Sequence, residues 1–147
     1  MKTLIRTLFL VLCATVFTAC SAKASGSDPV AQGNNPYAPQ AGDSSMMRGD
    51  IRVVSSSVML GDSNPAQALL HFEYFEPTPC FSLRVETSQP DAQNQIRVTA
   101  YAVAEKDKAC TLMALATPLK ADLSLGAYPK GHYSVLLNGA KAGEFDS

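Results

Sequence analysis

From residue 50 to the end of the chain, apolar and polar residues alternate with a period of two. This period places successive side chains on opposite faces of an extended strand, so each run predicts a strand with one buried face. The runs are DIRVVSSSVML, AQALLHFEYFE, CFSLRVE, NQIRVTAYAV, LKADLSLG, HYSVLLNG and a short return over Gly143–Phe145. The pattern predicts an all-β domain of about seven strands.

Turn-forming residues separate these runs at 61–65, 77–79, 88–90, 106–108 and 126–131. Such spacing is typical of an antiparallel β-sandwich. The pair Asn138-Gly139 predicts a two-residue hairpin, because both central positions of a type I′ turn need positive φ. We expect a single antiparallel sandwich over residues 50–147. Residues 109–116 (ACTLMALA) fit either a helical turn or the lead-in to a strand.

The first residues have the form of a signal peptide. Lys2 and Arg6 precede an apolar stretch of about ten residues, Leu8–Phe17, the usual size of a signal-peptide core. A membrane-spanning helix needs about 20 apolar residues. Residues 1–19 are therefore predicted to be cleaved.

The four residues FTAC, ending at Cys20, resemble the lipobox of bacterial lipoproteins. The resemblance implies that the Cys20 sulfur carries a diacylglyceryl group and the freed amine a third acyl chain such as palmitate. Three chains would anchor the protein stably, since two already suffice. Ser21 occupies the position where inner-membrane lipoproteins favour Asp, which implies the outer membrane. The alternative is an ordinary secretory signal cut after Ala22 or Ala24.

The other cysteines then form an even pair. Of four cysteines, Cys13 lies in the signal and Cys20 takes the lipid, which leaves Cys80 and Cys110. In an oxidising compartment this remainder predicts a disulfide. No metal site is expected, because His71 and His132 have no motif spacing to these cysteines.

Residues 20–49 differ in composition from residues 50–147. Ser21–Gly49 contains three prolines and four glycines but few apolar residues, too few to bury a core. We expect a flexible tether between the lipidated Cys20 and the sandwich.

The net charge and the motifs of the sequence limit the classes of function to be expected. After loss of residues 1–19, ten basic residues remain against thirteen acidic ones, a net charge of −3. No basic run is present, so nucleic acid is not expected as a partner. The sequence shows neither a G-x-S-x-G turn nor a Cys-His constellation, and we expect no enzymatic activity and no cofactor.

Four segments resemble a group of small secreted bacterial domains with a Cys…Cys pair and a closing hairpin. They are PTPC at 77–80, NQIRV at 94–98, ACTLM at 109–113 and LGAYPKGHYSVLLNG at 125–139. The resemblance implies an immunoglobulin-like β-sandwich. It implies no particular activity.

Two functional hypotheses are consistent with these features. The first is a non-catalytic, lipid-anchored envelope protein whose sandwich binds another protein, in an assembly, secretion or inhibitory role. Its first strand has one charge, Arg52, and no proline, so a partner strand is expected to add beside Val53, Val54, Ser55, Ser56, Ser57 and Val58. The alternative is a module that binds a small molecule or glycan through exposed aromatics such as Tyr37, Tyr101 and Tyr128.

Replacing Cys20 with Ser should abolish lipidation, because the thioether needs the sulfur. Metabolic labelling with an alkyne fatty acid measures this, together with the distribution between membrane and soluble fractions. Equal label on the wild type and Cys20→Ser would contradict the lipobox interpretation.

Overall fold

The computed structural model describes residues 34–110 and 116–147, whose strands form two facing sheets. A 3₁₀ helix, Ala41–Ser45, precedes the strands. The strands are β1 Met47–Asp50, β2 Arg52–Leu60, β3 Gln67–Phe75, β4 Ser82–Thr87, β5 Gln95–Ala104, β6 Leu119–Ala127, β7 His132–Leu137 and β8 Ala140–Asp146. These eight strands of the described residues confirm the all-β prediction, with one strand more than expected.

The smaller sheet has the order β2-β3-β6 and is antiparallel throughout. In the larger sheet, β4 pairs with one side of β5, while β1 and β7 pair with opposite halves of its other side. Strand β8 continues this sheet beyond β7. The outer strands are therefore β2 and β6 in one sheet and β1, β4 and β8 in the other.

The pairing of β5 with β7 is parallel, so the prediction of a purely antiparallel sandwich is wrong at this point. Consecutive strands joined by a short turn must reverse direction. Strands β5 and β7 are not consecutive, because β6 lies between them in the chain and belongs to the other sheet. That crossover allows β7 to run in the direction of β5.

The inner faces predicted from the alternation are confirmed. Each of the largest fully buried side chains belongs to the apolar face of its alternating run. They are Phe72, Leu70, Ile96, Leu123, Val85, Val98 and Val135. The hairpin turn is also confirmed, since Asn138 has φ 49° and Gly139 φ 84°. Burial of these apolar faces holds the two sheets together, at about 25 cal/mol per Å² of apolar surface removed from water.

The segment from residue 34 to residue 46, which we call the strap, packs on the sandwich. Asn35 donates its side-chain amide to the Val85 carbonyl at 2.8 Å, and the Val85 amide donates to the Tyr37 carbonyl at 2.8 Å. Residues 47–50 form β1. The prediction of a flexible tether is therefore wrong for residues 34–49, because polar hydrogen bonds rather than an apolar run attach them.

Several predictions fall on residues outside the described ranges. These include the signal at 1–19, Cys20, the tether up to residue 33 and most of the ambiguous stretch 109–116. Among the described residues, no helix has the length and apolar character needed to span a bilayer.

Cys80 and Cys110 form the predicted disulfide, 30 residues apart in sequence. The bridge joins the segment before β4 to the segment after β5.

Reduction of this disulfide should lower the free energy of unfolding by about 2–5 kcal/mol, because the closed loop no longer restricts the unfolded chain. Urea denaturation with and without reductant measures the change. The native protein should show no thiol that reacts with a labelling reagent at Cys80 or Cys110. Two reactive thiols in the oxidised protein, or equal stability in both states, would contradict the expectation.

Candidate functional site

Strand β2 contains the segment Val53–Val58 that the sequence marked for partner binding, and it lies at an edge of the smaller sheet. It pairs with β3 on one side only. A bulge interrupts the pairing between Val53 and Ser55, and the Val54 side chain is 49% exposed. An edge strand presents unpaired backbone groups that can accept another strand.

A groove of about 540 Å³ runs along the first half of this edge. We call it the β2 groove. Its lining consists of Ile51, Arg52, Val53, Val54, Ser55 and Ser56 on one side and Leu137, Asn138 and Ala140 of the β7–β8 hairpin on the other. The groove thus separates the edge of one sheet from the hairpin of the other.

The groove closes toward the second half of β2, at Gly143 of β8. A Cβ atom added at Gly143 would lie 2.9 Å from the Val58 Cβ and 3.2 Å from the Val58 amide nitrogen. Glycine is required for this approach of the two edge strands. Val58 is therefore covered by β8, while the stretch up to Ser56 faces the groove.

Asn138 fixes the hairpin side of the groove. Its side-chain amide donates to the Ala100 carbonyl at 2.9 Å, and its side-chain oxygen accepts from the Ala100 amide at 2.8 Å. The turn is thereby attached to β5, so the groove has one fixed wall. The sequence predicted the turn, but not this second role of Asn138.

The outer face of the smaller sheet carries a row of three polar residues that the sequence did not bring together. The register places Ser57 opposite His71 and His71 opposite Asp122. The His71 Nδ1 atom lies 2.7 Å from an Asp122 carboxylate oxygen. The partner of His71 therefore lies on the neighbouring strand β6.

His132 is the first residue of β7, where the run HYSVLLNG begins. Its Nδ1 lies 2.8 Å from the Asp146 carboxylate, and this hydrogen bond raises the pKa of His132. Both side chains are largely exposed. The described residues contain no group of three or more His, Cys, Asp or Glu side chains able to hold a metal ion.

The strap is attached to the larger sheet by an ion pair. Arg84 Nε donates to Asp43 at 2.8 Å, and both side chains are about nine-tenths buried. The hydrogen bond from Arg84 holds the pKa of Asp43 below its ordinary value of 3.8. A buried charge needs such a partner.

The aromatic residues expected to be exposed are largely covered. Tyr101 is 6% exposed, with the Arg48 guanidinium 3.5 Å from its ring centroid, and Tyr128 is 7% exposed. Tyr37 packs against the core. An exposed aromatic platform built from these three residues is not present.

Comparison with known proteins gives one match. The family model described as the ORF11 beta-sandwich domain matches residues 70–147. No curated protein and no solved structure matches the chain. The matched residues extend from within β3 to the end of the chain and leave out the strap, β1 and β2.

The attachment of the strap should depend on pH. Because the pKa of Asp43 is below 3.8 in the folded protein, the ion pair stabilises the strap above that pH. This stabilisation is lost as the pH falls through the folded-state pKa. Hydrogen exchange of residues 34–46, compared between neutral and acidic pH, measures the loss.

Asp43→Asn should show the faster exchange already at neutral pH, because the charge on Asp43 is gone. Asp62→Asn, in the exposed loop after β2, serves as the matched control and should exchange like the wild type. Equal protection of the strap in Asp43→Asn and the wild type would show that the ion pair does not hold it.

Proposed function

This chain belongs to the ORF11 β-sandwich domain family, and from that premise we propose that it is a non-catalytic, lipid-anchored envelope protein. Its sandwich binds another envelope protein, which adds an extended segment to the edge of β2. The role is that of an assembly factor, a secretion accessory or an inhibitor. The observation that carries the proposal is the β2 edge with its open groove.

The anchor rests on the sequence. The FTAC motif supports lipidation at Cys20, and Ser21 supports an outer-membrane destination. Removal of residues 1–19 by a signal peptidase would leave Cys20 as the first residue. The assignment of the sandwich to the immunoglobulin-like class stays our prediction.

The lining of the β2 groove indicates the chemistry of the partner segment. Arg52 is its only charged residue, and the other lining side chains are small or apolar except for the amide of Asn138. A segment that runs antiparallel to β2 would place its C-terminal end beside Arg52. We therefore expect a neutral extended segment with small apolar side chains and an acidic group at that end. Main-chain hydrogen bonds would supply affinity, and alternate side chains specificity.

We propose a non-catalytic role although Ser57, His71 and Asp122 lie in one row. The row lies on an open sheet face, where the Asp122 side chain is 83% exposed. Acyl transfer depends on hydrogen-bond donors aimed at a developing oxyanion in a site that excludes water. Within the described ranges, Ser57 and His71 share no hydrogen bond. Neither residue lines the β2 groove.

Ser56→Pro should abolish partner binding. Backbone amides alternate in direction along a strand, so Ser56 presents its amide to the same side as Val58, whose nitrogen faces β8. Proline removes that donor, and an edge strand tolerates proline where the amide points away from the sheet. A photocrosslinking residue at Val54, introduced in the native envelope, measures binding as the yield of one crosslinked product.

Ser56→Ala is the matched control, because it keeps the amide and removes only the hydroxyl. It should crosslink like the wild type, and a crosslinker at exposed Lys130 should not give the product. The same yield from Ser56→Pro and Ser56→Ala would place the docking surface elsewhere. So would hydrogen exchange that shows the Ser56 amide protected in the isolated protein.

A further inference from the structure

Strand β6 carries a bulge next to the edge where it faces β4. In the pairing with β3, Ala68 lies opposite Gly126 and Leu69 opposite Ser124, so Leu125 is the extra residue. Gly126 has φ 101°, which a residue with a side chain rarely adopts. Bulges bend a strand and redirect its side chains, and they are frequent beside functional sites.

A cavity of about 390 Å³, the bulge cavity, lies between this bulge and the end of β4. Tyr128 forms part of its lining, and its hydroxyl donates to the Leu125 carbonyl at 2.9 Å. Burial raises the pKa of Tyr128 to about 12, so the phenol stays protonated and keeps this bond. This hydrogen bond therefore stabilises both the bulge at Leu125 and the position of the Tyr128 side chain.

The charge of the lining excludes one class of ligand. Glu86 is its only charged residue, and its carboxylate accepts a hydrogen bond from the Tyr101 hydroxyl at 2.8 Å. An anionic ligand would face this carboxylate with no lysine or arginine among the lining residues to balance it. Phosphates and acidic sugars do not fit.

The remaining lining combines apolar surface with groups that both donate and accept hydrogen bonds. Pro39 of the strap supplies the exposed apolar part, because Leu125 and Val85 are almost fully buried, and Thr87 and Gln89 contribute a hydroxyl and an amide. Neither of these two polar side chains is used in a hydrogen bond within the described residues. Hydroxyl and amide side chains can pair with the hydroxyl groups of a ligand, because those groups also donate and accept hydrogen bonds.

We propose that the bulge cavity binds a neutral saccharide, with one face of the sugar ring on the exposed Pro39 and its hydroxyls on Thr87 and Gln89. The cavity volume falls within the range of about 300–1,000 Å³ common for small-molecule sites. This site is separate from the β2 groove, since no lining residue is shared. Saccharide binding is therefore independent of the proposed partner.

Saturation-transfer NMR on the full-length protein in detergent tests the site with glucose, N-acetylglucosamine, maltose and, as the anionic comparison, glucuronate. At least one neutral sugar should receive saturation and glucuronate should not. Gln89→Ala should weaken binding about fivefold to tenfold, the loss of one hydrogen bond. Thr87→Trp should remove binding by filling the cavity.

Gln93→Ala is the matched control, because Gln93 is an exposed amide of the neighbouring turn that does not line the cavity. It should bind like the wild type. No transfer to any of the three neutral sugars would overturn the proposal. Equal binding by the wild type and Gln89→Ala, or glucuronate binding as strong as that of the neutral sugars, would also overturn it.

Discussion

Five strands lie at the edges of the two open sheets, and the protection of their unpaired backbone groups governs the rest of this structure. The strap covers β4 through the hydrogen bonds at Val85. The bulge at Leu125 disrupts β6. Strands β2 and β8 cover each other around the contact between Gly143 and Val58. Natural proteins guard sheet edges by such covers and bulges, and among the described residues the first half of β2 is a stretch that the β8 contact leaves accessible.

The inner faces of the strands could be predicted from the sequence because alternation is a local signal. Leu70 and Phe72 show it within one run, and Asn138-Gly139 encodes its turn in two residues. The strap could not be predicted in this way. Asp43 and Arg84 are 41 residues apart, and neither residue lies in a pattern that names the other. Low apolar content predicts flexibility, whereas polar contacts attach this segment.

The same limit applies to the candidate sites. The absence of proline and the single charge in β2 led to the prediction of a docking strand, and the sheet order places this strand at an edge. The β2 groove depends on the distance between β2 and the β7–β8 hairpin. No periodicity in the sequence encodes that distance. The bulge cavity depends on one extra residue in β6, visible only once Leu69 and Ala68 have partners. Gly126 was the single sequence signal there, and glycine also precedes many turns that carry no bulge.

The family match covers the two proposed binding surfaces, the bulge cavity and the β2 groove, to different extents. Residues 70–147 include the end of β4 and the bulged part of β6, but not Asn35 and Pro39 of the strap, which also line the bulge cavity. They include only the hairpin side of the β2 groove, because Ile51–Ser56 precede the match. A property shared across the family must reside in the shared residues, and of the two proposed surfaces the bulge cavity lies mostly within them. The proposed strand addition at β2 depends on Ile51–Ser56, so it is a property of this chain that the family match does not carry.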